Sequence, residues 1–279
     1  MQSNVSLVLP LQQLFALARL DARQPLTADE LNNIKPGLSP DCCCPSFLAD
    51  ELADLSDRYY EVFIAEEKQV PTRHNWHDTF NALMWMLFGR TKSLLNYLHC
   101  QQIADYGVHP RTAKRNRLTH FDECGLVIAV PANKLCEGNE LLNQLALHQW
   151  QNVLLANRGE WGTTLFPFIF GHALYEMLLT PFIGLTAKWL AVVVPDNFAT
   201  MDIRVQYEVL DKALAARLTA LDGLAAKTVL KPVPLLGIPD WYNAQSPEFY
   251  ADKSYFRPLA PTAPATTQLP LQASDLKTV

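Results

Sequence analysis

The chain lacks a phosphate-binding loop, a dinucleotide fingerprint, a nucleophile elbow and a paired CxxC motif, so it does not announce nucleotide binding, serine-hydrolase chemistry or a zinc ribbon. It is short of positive charge. Its 23 Lys and Arg stand against 28 Asp and Glu, a formal net charge of -5. Non-specific nucleic-acid binding needs a basic excess on one face, so nucleic acid is not an expected partner. Cysteine is sparse as well: Cys42, Cys43, Cys44, Cys100, Cys124 and Cys136 are too few for a disulfide scaffold in a chain able to build a core. The run Cys42 to Cys44 has no Cys/His pair at zinc-like spacing and reads as a loop before Pro45. Met1 to Arg19 has no early basic residue, and its apolar run is broken by Pro10, Gln12 and Gln13, unlike a signal peptide. Leu165 to Leu185 has the length of a membrane span, about twenty residues, but contains His172, Glu176, Pro167 and Pro181. An ionised Glu at mid-bilayer is costly and Pro181 ends a helix, so a buried helix is expected, in a soluble, cytoplasmic protein. No repeat is visible, which excludes a solenoid.

What is present is core-forming material. The chain is 49% hydrophobic and 18% charged over 279 residues, enough for one globular unit over residues 1–258, with 259–279 expected as a flexible tail. Helical spacing is read at Gln12 to Ala22, after the capping box Thr27 to Glu30, at Phe47, Leu48, Leu52, Leu55 and Tyr59, from Pro71 to Gly89, and at Thr91 to Tyr106. Further helices are read at Glu140 to Asn157, Phe168 to Leu179 and Val205 to Leu221, with Pro36 to Pro45 as a loop. Leu118 to Phe121 and Leu126 to Val130 read as a β-hairpin around Asp122-Glu123-Cys124-Gly125, and Leu190 to Val194 as a buried strand. From Lys231 onward, proline alternates with Trp241, Tyr242, Phe249, Tyr250 and Phe256, the composition of an arm that wraps the body to about Pro258 and then frays. The expected class is α+β, mainly α: a helical core, a small antiparallel element and an extended C-terminal arm rich in proline and aromatics.

Polar chemistry is concentrated in Arg73-His74-Asn75-Trp76-His77-Asp78. On one helix, Trp76, Phe80, Leu83 and Leu87 share a buried stripe, while His74, His77 or Asp78, and Asn81 share its neighbour. His172 and Glu176, four residues apart, also share a helix face. His74, His77, Asp78, His172 and Glu176 are therefore candidate ligands for a divalent metal such as zinc or manganese, since a catalytic zinc site needs about three protein ligands and an open position. Asp122 and Glu123 are candidate acid and base with His77 or His172. Adjacent carboxylates on a strand point apart, so one of the two is expected to face the site. Arg90 and Lys92 would neutralise a small anionic substrate, with Trp76 and Asn81 alongside. Arg111, Lys114, Arg115 and Arg117 complete the basic cluster and read as a solvated loop. Cys124 has no electropositive neighbour in sequence and reads as an ordinary thiol.

Several segments in order, Asn75-Trp76-His77-Asp78 with Arg90-Thr91-Lys92, Leu118 to Glu123, Phe170 to Glu176, and Pro234 to Pro239 followed by Phe249-Tyr250 and Phe256-Arg257-Pro258, resemble a proteobacterial family known as domain of unknown function 3025. The resemblance spans residues 45 to 258, with Asp240 where a small residue such as Gly would be expected, and it implies no activity, cofactor or catalytic residue. Two functional expectations follow from the residues themselves. One is a hydrolase of small molecules or phosphoesters using a metal- or carboxylate-activated water. The other is a non-catalytic binding or scaffold protein whose buried His, Asp and Glu lock its helices together.

Overall fold

The two most aliphatic runs of the chain, Gly125–Pro131 and Thr186–Val194, lie side by side in parallel at the centre of a four-stranded sheet. All of Gly125–Pro131 is buried, the pattern of a strand covered on both faces. The computed structural model describes residues 8–21, 24–38, 44–56 and 58–278. In chain order its helices and strands are α1 (Leu9–Ala18), α2 (Ala28–Leu38), β1 (Ser46–Ala49), α3 (Tyr60–Glu67), β2 (Gln69–Thr72), α4 (Trp76–Leu87), α5 (Gly89–Tyr106), α6 (Ala113–Cys124), β3 (Gly125–Pro131), α7 (Leu135–Ala146), β4 (Phe166–Ile169), α8 (His172–Met177), β5 (Thr186–Val194), α9 (Ile203–Ala220), β6 (Lys231–Pro234) and α10 (Pro247–Ala251). The large sheet has the order β4-β3-β5-β6, with antiparallel pairs at both edges. β1 and β2 form a separate parallel pair. The class is α+β, mainly α.

Local chemistry sets the helix ends. Thr27 and Glu30 form the reciprocal capping box, Glu30 N to Thr27 Oγ1 at 3.3 Å and Thr27 N to Glu30 Oε2 at 2.8 Å. Asn75 caps α4 by accepting from Asp78 N at 2.8 Å. Phe88 breaks the helix with φ -128° and ψ 44°, and α5 starts at the next residue. Its first amides are capped from across the fold, Arg90 N and Thr91 N donating to the Asp211 carboxylate of α9 at 2.9 and 2.8 Å.

The structure departs from the sequence reading at several places. No hairpin surrounds Asp122: residues 113–124 form a helix, Leu118 and Phe121 bury its inner face, and the strand starts at Gly125. β3 instead pairs with β4, so Phe168 and Ile169 are strand, and the following helix is short. A continuous apolar run does not distinguish a buried strand from a buried helix, and here the sheet prevails. Phe47 and Leu48 pair with β2, while Leu52 is exposed. α2 continues through Pro36 to Leu38, and residues 39–43, including Cys42 and Cys43, lie outside the described residues. α1 ends at Ala18, with Ala22 also outside them. The helix expected over Glu140 to Asn157 is split near His148, whose φ is 57°. Asp240 has φ 66°, the left-handed backbone for which glycine is best suited. Among the described residues no helix is long and apolar enough to cross a membrane.

The C-terminal arm packs through Tyr255, whose hydroxyl accepts from Leu236 N at 2.9 Å and donates to Leu185 O at 2.6 Å. Its contacts do not stop at Pro258. Gln268 is buried, accepting from Ala191 N at 2.9 Å and donating to Trp189 O at 3.1 Å and Val229 O at 2.9 Å. β6 pairs with β5 as far as Trp189, so one side chain continues the ladder where the strand ends. Replacing Gln268 by Ala strands these backbone groups, and leaving one buried group unsatisfied costs about 1–3 kcal/mol. A urea melt of the variant is expected to show that loss at an unchanged m-value; an unchanged midpoint would mean the arm is not bound there.

Candidate metal centre

Stacked rings set the packing of α4 on α8. Trp76 and Phe80 have centroids 5.4 Å apart, and Phe80 and Tyr175 5.6 Å. In that register His77, in the first turn of α4, meets His172, the first residue of α8. Their Nε2 atoms are 3.2 Å apart, with the ring planes inclined at 75°. Glu123, at the C-terminal end of α6, brings Oε2 to 3.4 Å from His172 Nε2. One donor atom from each of His77, Glu123 and His172 lies within 4.8 Å of the other two. Metal–ligand bonds of about 2.0–2.1 Å at tetrahedral angles place neighbouring donors about 3.3 Å apart. The set therefore has the size of a metal site.

Glu123 and His172 are brought together by backbone rather than side chains. Phe170 N and Gly171 N both donate to Gly125 O, at 3.0 and 2.8 Å. A Cβ on Gly171 would stand 2.4 Å from Glu123 O and Gly125 N and 2.6 Å from Cys124 N. Glycine is needed there because two backbones occupy the space of a side chain.

Behind each imidazole stands a carboxylate. His77 Nδ1 is 2.9 Å from Glu176 Oε2, and His172 Nδ1 is 3.8 Å from Asp122 Oδ2. Asp122 is gripped by Lys92, whose Nζ donates to both of its oxygens at 2.6 and 2.9 Å and to Asn81 Oδ1 at 2.8 Å. A carboxylate hydrogen-bonded behind a ligating imidazole fixes the ring and raises its basicity; Glu176 is placed to do so for His77, whereas Asp122 acts on His172 through charge, without a hydrogen bond to Nδ1. Burial pushes His172 down to about 3, leaving a neutral ring at pH 7. Burial would lift Asp122, but the Lys92 ammonium and then His172 outweigh it and hold the carboxyl below its usual range. Glu123 is raised by burial, with His77 pulling the other way. The three residues open onto a cavity of about 370 Å³.

The sequence-derived candidates divide accordingly. His77, His172 and Glu123 converge. Glu176 backs His77 from an exposed position, and Asp122, still half-buried, backs His172. Both Asp122 and Glu123 reach the site because they end a helix rather than alternate along a strand. His74 does not join: it precedes α4, is exposed, and bonds Pro25 O through Nε2 at 3.0 Å. Asp78 is taken by Arg73, through Nε at 2.9 Å, Nη2 at 3.0 Å and the backbone N at 2.7 Å. Lys92 and Asn81 line the cavity with Lys92 already neutralised, whereas Arg90 is exposed and Trp76 packs on Phe15 and Phe80; neither lines it. Of the other cluster members, Lys114 pairs with Asp222, Arg117 bonds Leu224 O and Ala225 O, Arg115 is buried, and Arg111 lines the cavity. Burial raises the Cys124 thiol, consistent with an ordinary one. Sequence reasoning passed over His99, Asn96, Tyr59 and Tyr60, which line the same cavity. Lys92, Asn96 and His99 are spaced as one helix face, and that polar stripe was the available signal.

The chain belongs to the family described as protein of unknown function (DUF3025), which matches residues 46–260. No curated protein and no solved structure matches the chain.

Two outcomes test this geometry. Gly171→Ala forces backbone apart and is expected to cost more than the 1–3 kcal/mol typical of an overpacked core, about 3 kcal/mol or greater. Gly159→Ala, with nothing within 4 Å of the added Cβ, should stay within about 0.5 kcal/mol. Equal chemical-denaturation midpoints for the two would contradict the close approach. Acid is the second. Burial holds His99 down to about 4 against an ordinary 6.5, so below pH 6.5 the unfolded chain binds protons that the fold refuses. Stability should decline from about pH 6.5 to about pH 4, His99 contributing roughly 3 kcal/mol. Glu61 and Glu123, raised by burial, work in the opposite sense. The diagnostic is therefore a shallower decline for His99→Gln than for the wild type in thermal melts across that range.

Proposed function

We propose that His77, His172 and Glu123 hold one divalent transition metal, zinc or manganese, and that the chain is a hydrolase of small molecules. The supporting observation is the convergence of one potential ligand atom from each of the three residues, all within 4.8 Å of one another. His77 Nδ1 lies 2.9 Å from Glu176 Oε2, which leaves its Nε2 turned toward the gap that a Glu123 carboxylate oxygen also faces. His172 Nε2 faces both, at 3.2 and 3.4 Å. A cation among the three satisfies all of them.

Two imidazoles and a carboxylate are the donor set of a hydrolytic zinc centre with an open position. In that role the metal would supply a bound water whose pKa falls to about 7. The residues do the rest. Glu176 keeps the His77 imidazole turned inward, Lys92 holds Asp122 ionised behind His172, and the cavity walls exclude bulk water from one side. A cavity of about 370 Å³ suits a small molecule rather than a polymer.

Elemental mass spectrometry of the untagged protein tests this. About one zinc or manganese per chain is expected, lost in His77→Ala and His172→Ala and retained in His74→Ala, an exposed position outside the donor set. A folded, metal-free wild type that takes up neither metal on addition would sink the proposal and leave the polar network as a structural lock.

A further inference from the structure

The cavity beside the proposed metal centre carries a cation with no carboxylate within ion-pair distance among the described residues. Arg73 and Lys92 on its wall are paired with Asp78 and Asp122. Arg111 is not: its Nη1 donates to the Tyr59 hydroxyl at 3.0 Å and its Nη2 to Thr119 Oγ1, both neutral, and its buried Nε has no partner. Arg115, in the first turn of α6, is fully buried over the Tyr59 ring at 4.9 Å and donates to Val108 O, with Nε and Nη2 unpartnered. Glu61 is the acid that feels both guanidiniums, and among the described residues no carboxylate lies within ion-pair distance of either. Arg111 is thus a cation on the cavity wall whose hydrogen-bond partners are hydroxyls rather than carboxylates, in a setting where burial strengthens its field. His99, itself buried with Nδ1 unpartnered, lines the same region.

The contact with Thr119 fixes where this charge sits relative to the metal centre. Thr119 and Glu123 are four residues apart on α6, a rise of about 6 Å. We propose that Arg111 forms a subsite for a carboxylate or phosphate of the substrate, about 6 Å along α6 from the group that reaches His77, His172 and Glu123. The inference rests on the metal-centre reading for its second anchor. It narrows the substrate to a small anion whose charged group lies a few bonds from the bond to be cleaved.

The test is calorimetric titration of the zinc-loaded full-length protein with glutarate and adipate, against butyrate as the single-carboxylate reference. At least one diacid is expected to bind about tenfold or more tightly than butyrate, and Arg111→Gln to erase that advantage while keeping its zinc. Arg111→Lys, which keeps the charge without the fork and serves if the Gln variant does not fold, should retain part of it. Equal affinities for diacids and butyrate, or an advantage that survives in Arg111→Gln, would overturn the subsite. If no zinc binds but the diacids still bind in an Arg111-dependent way, the subsite stands and the metal reading falls.

Discussion

The site depends on a place where two stretches of backbone touch. Glu123 to Gly125 and Phe170 to His172 come together at Gly125 and Gly171, where the amides of Phe170 and Gly171 share one carbonyl and there is no space for a Cβ. Side chains borne on separate secondary structures usually meet through long rotamers, which are entropically costly to hold. Here the separation is set by peptide geometry, which is stiff. Glu123 leaves α6 just before the crossing and His172 begins α8 just after it, so both donor side chains are fixed within a residue or two of the contact.

The third donor arrives through packing of a different kind. His77 is delivered by α4, whose first turn is pinned by the Asn75 cap and by Arg73, which ties its backbone N and guanidinium to Asp78. The ring ladder from Trp76 through Phe80 to Tyr175 then sets the register of α4 on α8. Asp78 thus has a structural task, orienting the helix that carries His77, although its residue type and spacing mark it equally well as a ligand.

That example shows where sequence stops being informative. The pairing of His77 with His172 was legible because each stands on a polar stripe beside apolar residues, and such stripes meet when their helices pack. The capping box at Thr27 and the amphipathic α9 were legible because they are local. The strand at Phe168 was not, since an apolar run fits a buried strand or helix equally until its hydrogen-bond partner is known. Neither was the helix through Leu118 to Cys124, whose short alternation mimics a strand while Thr112 caps it from outside the window. For His74 and Asp78 the residue types were right and the partners were not visible: Pro25 O claims one and Arg73 the other. Arg111 lay inside the basic cluster, and its separation from Lys114 and Arg117 comes from tertiary contacts of those two with residues 222–225.

The pair Lys92 and Asp122 bears on whether the network serves stability or position. Burying an ammonium against a carboxylate gains little, because desolvation offsets most of the attraction, and an apolar pair of similar volume is often as stable or more so. Stability alone therefore gives no reason for this arrangement. Its effect is directional: Lys92 is held by Asn81 and both Asp122 oxygens, and this keeps a negative charge behind His172 in a place where burial would otherwise neutralise the carboxyl. A charge maintained there, against its own solvation cost, stabilises positive charge on the imidazole's far side. That side is the gap shared by His172, His77 and Glu123, which is where a cation would lie.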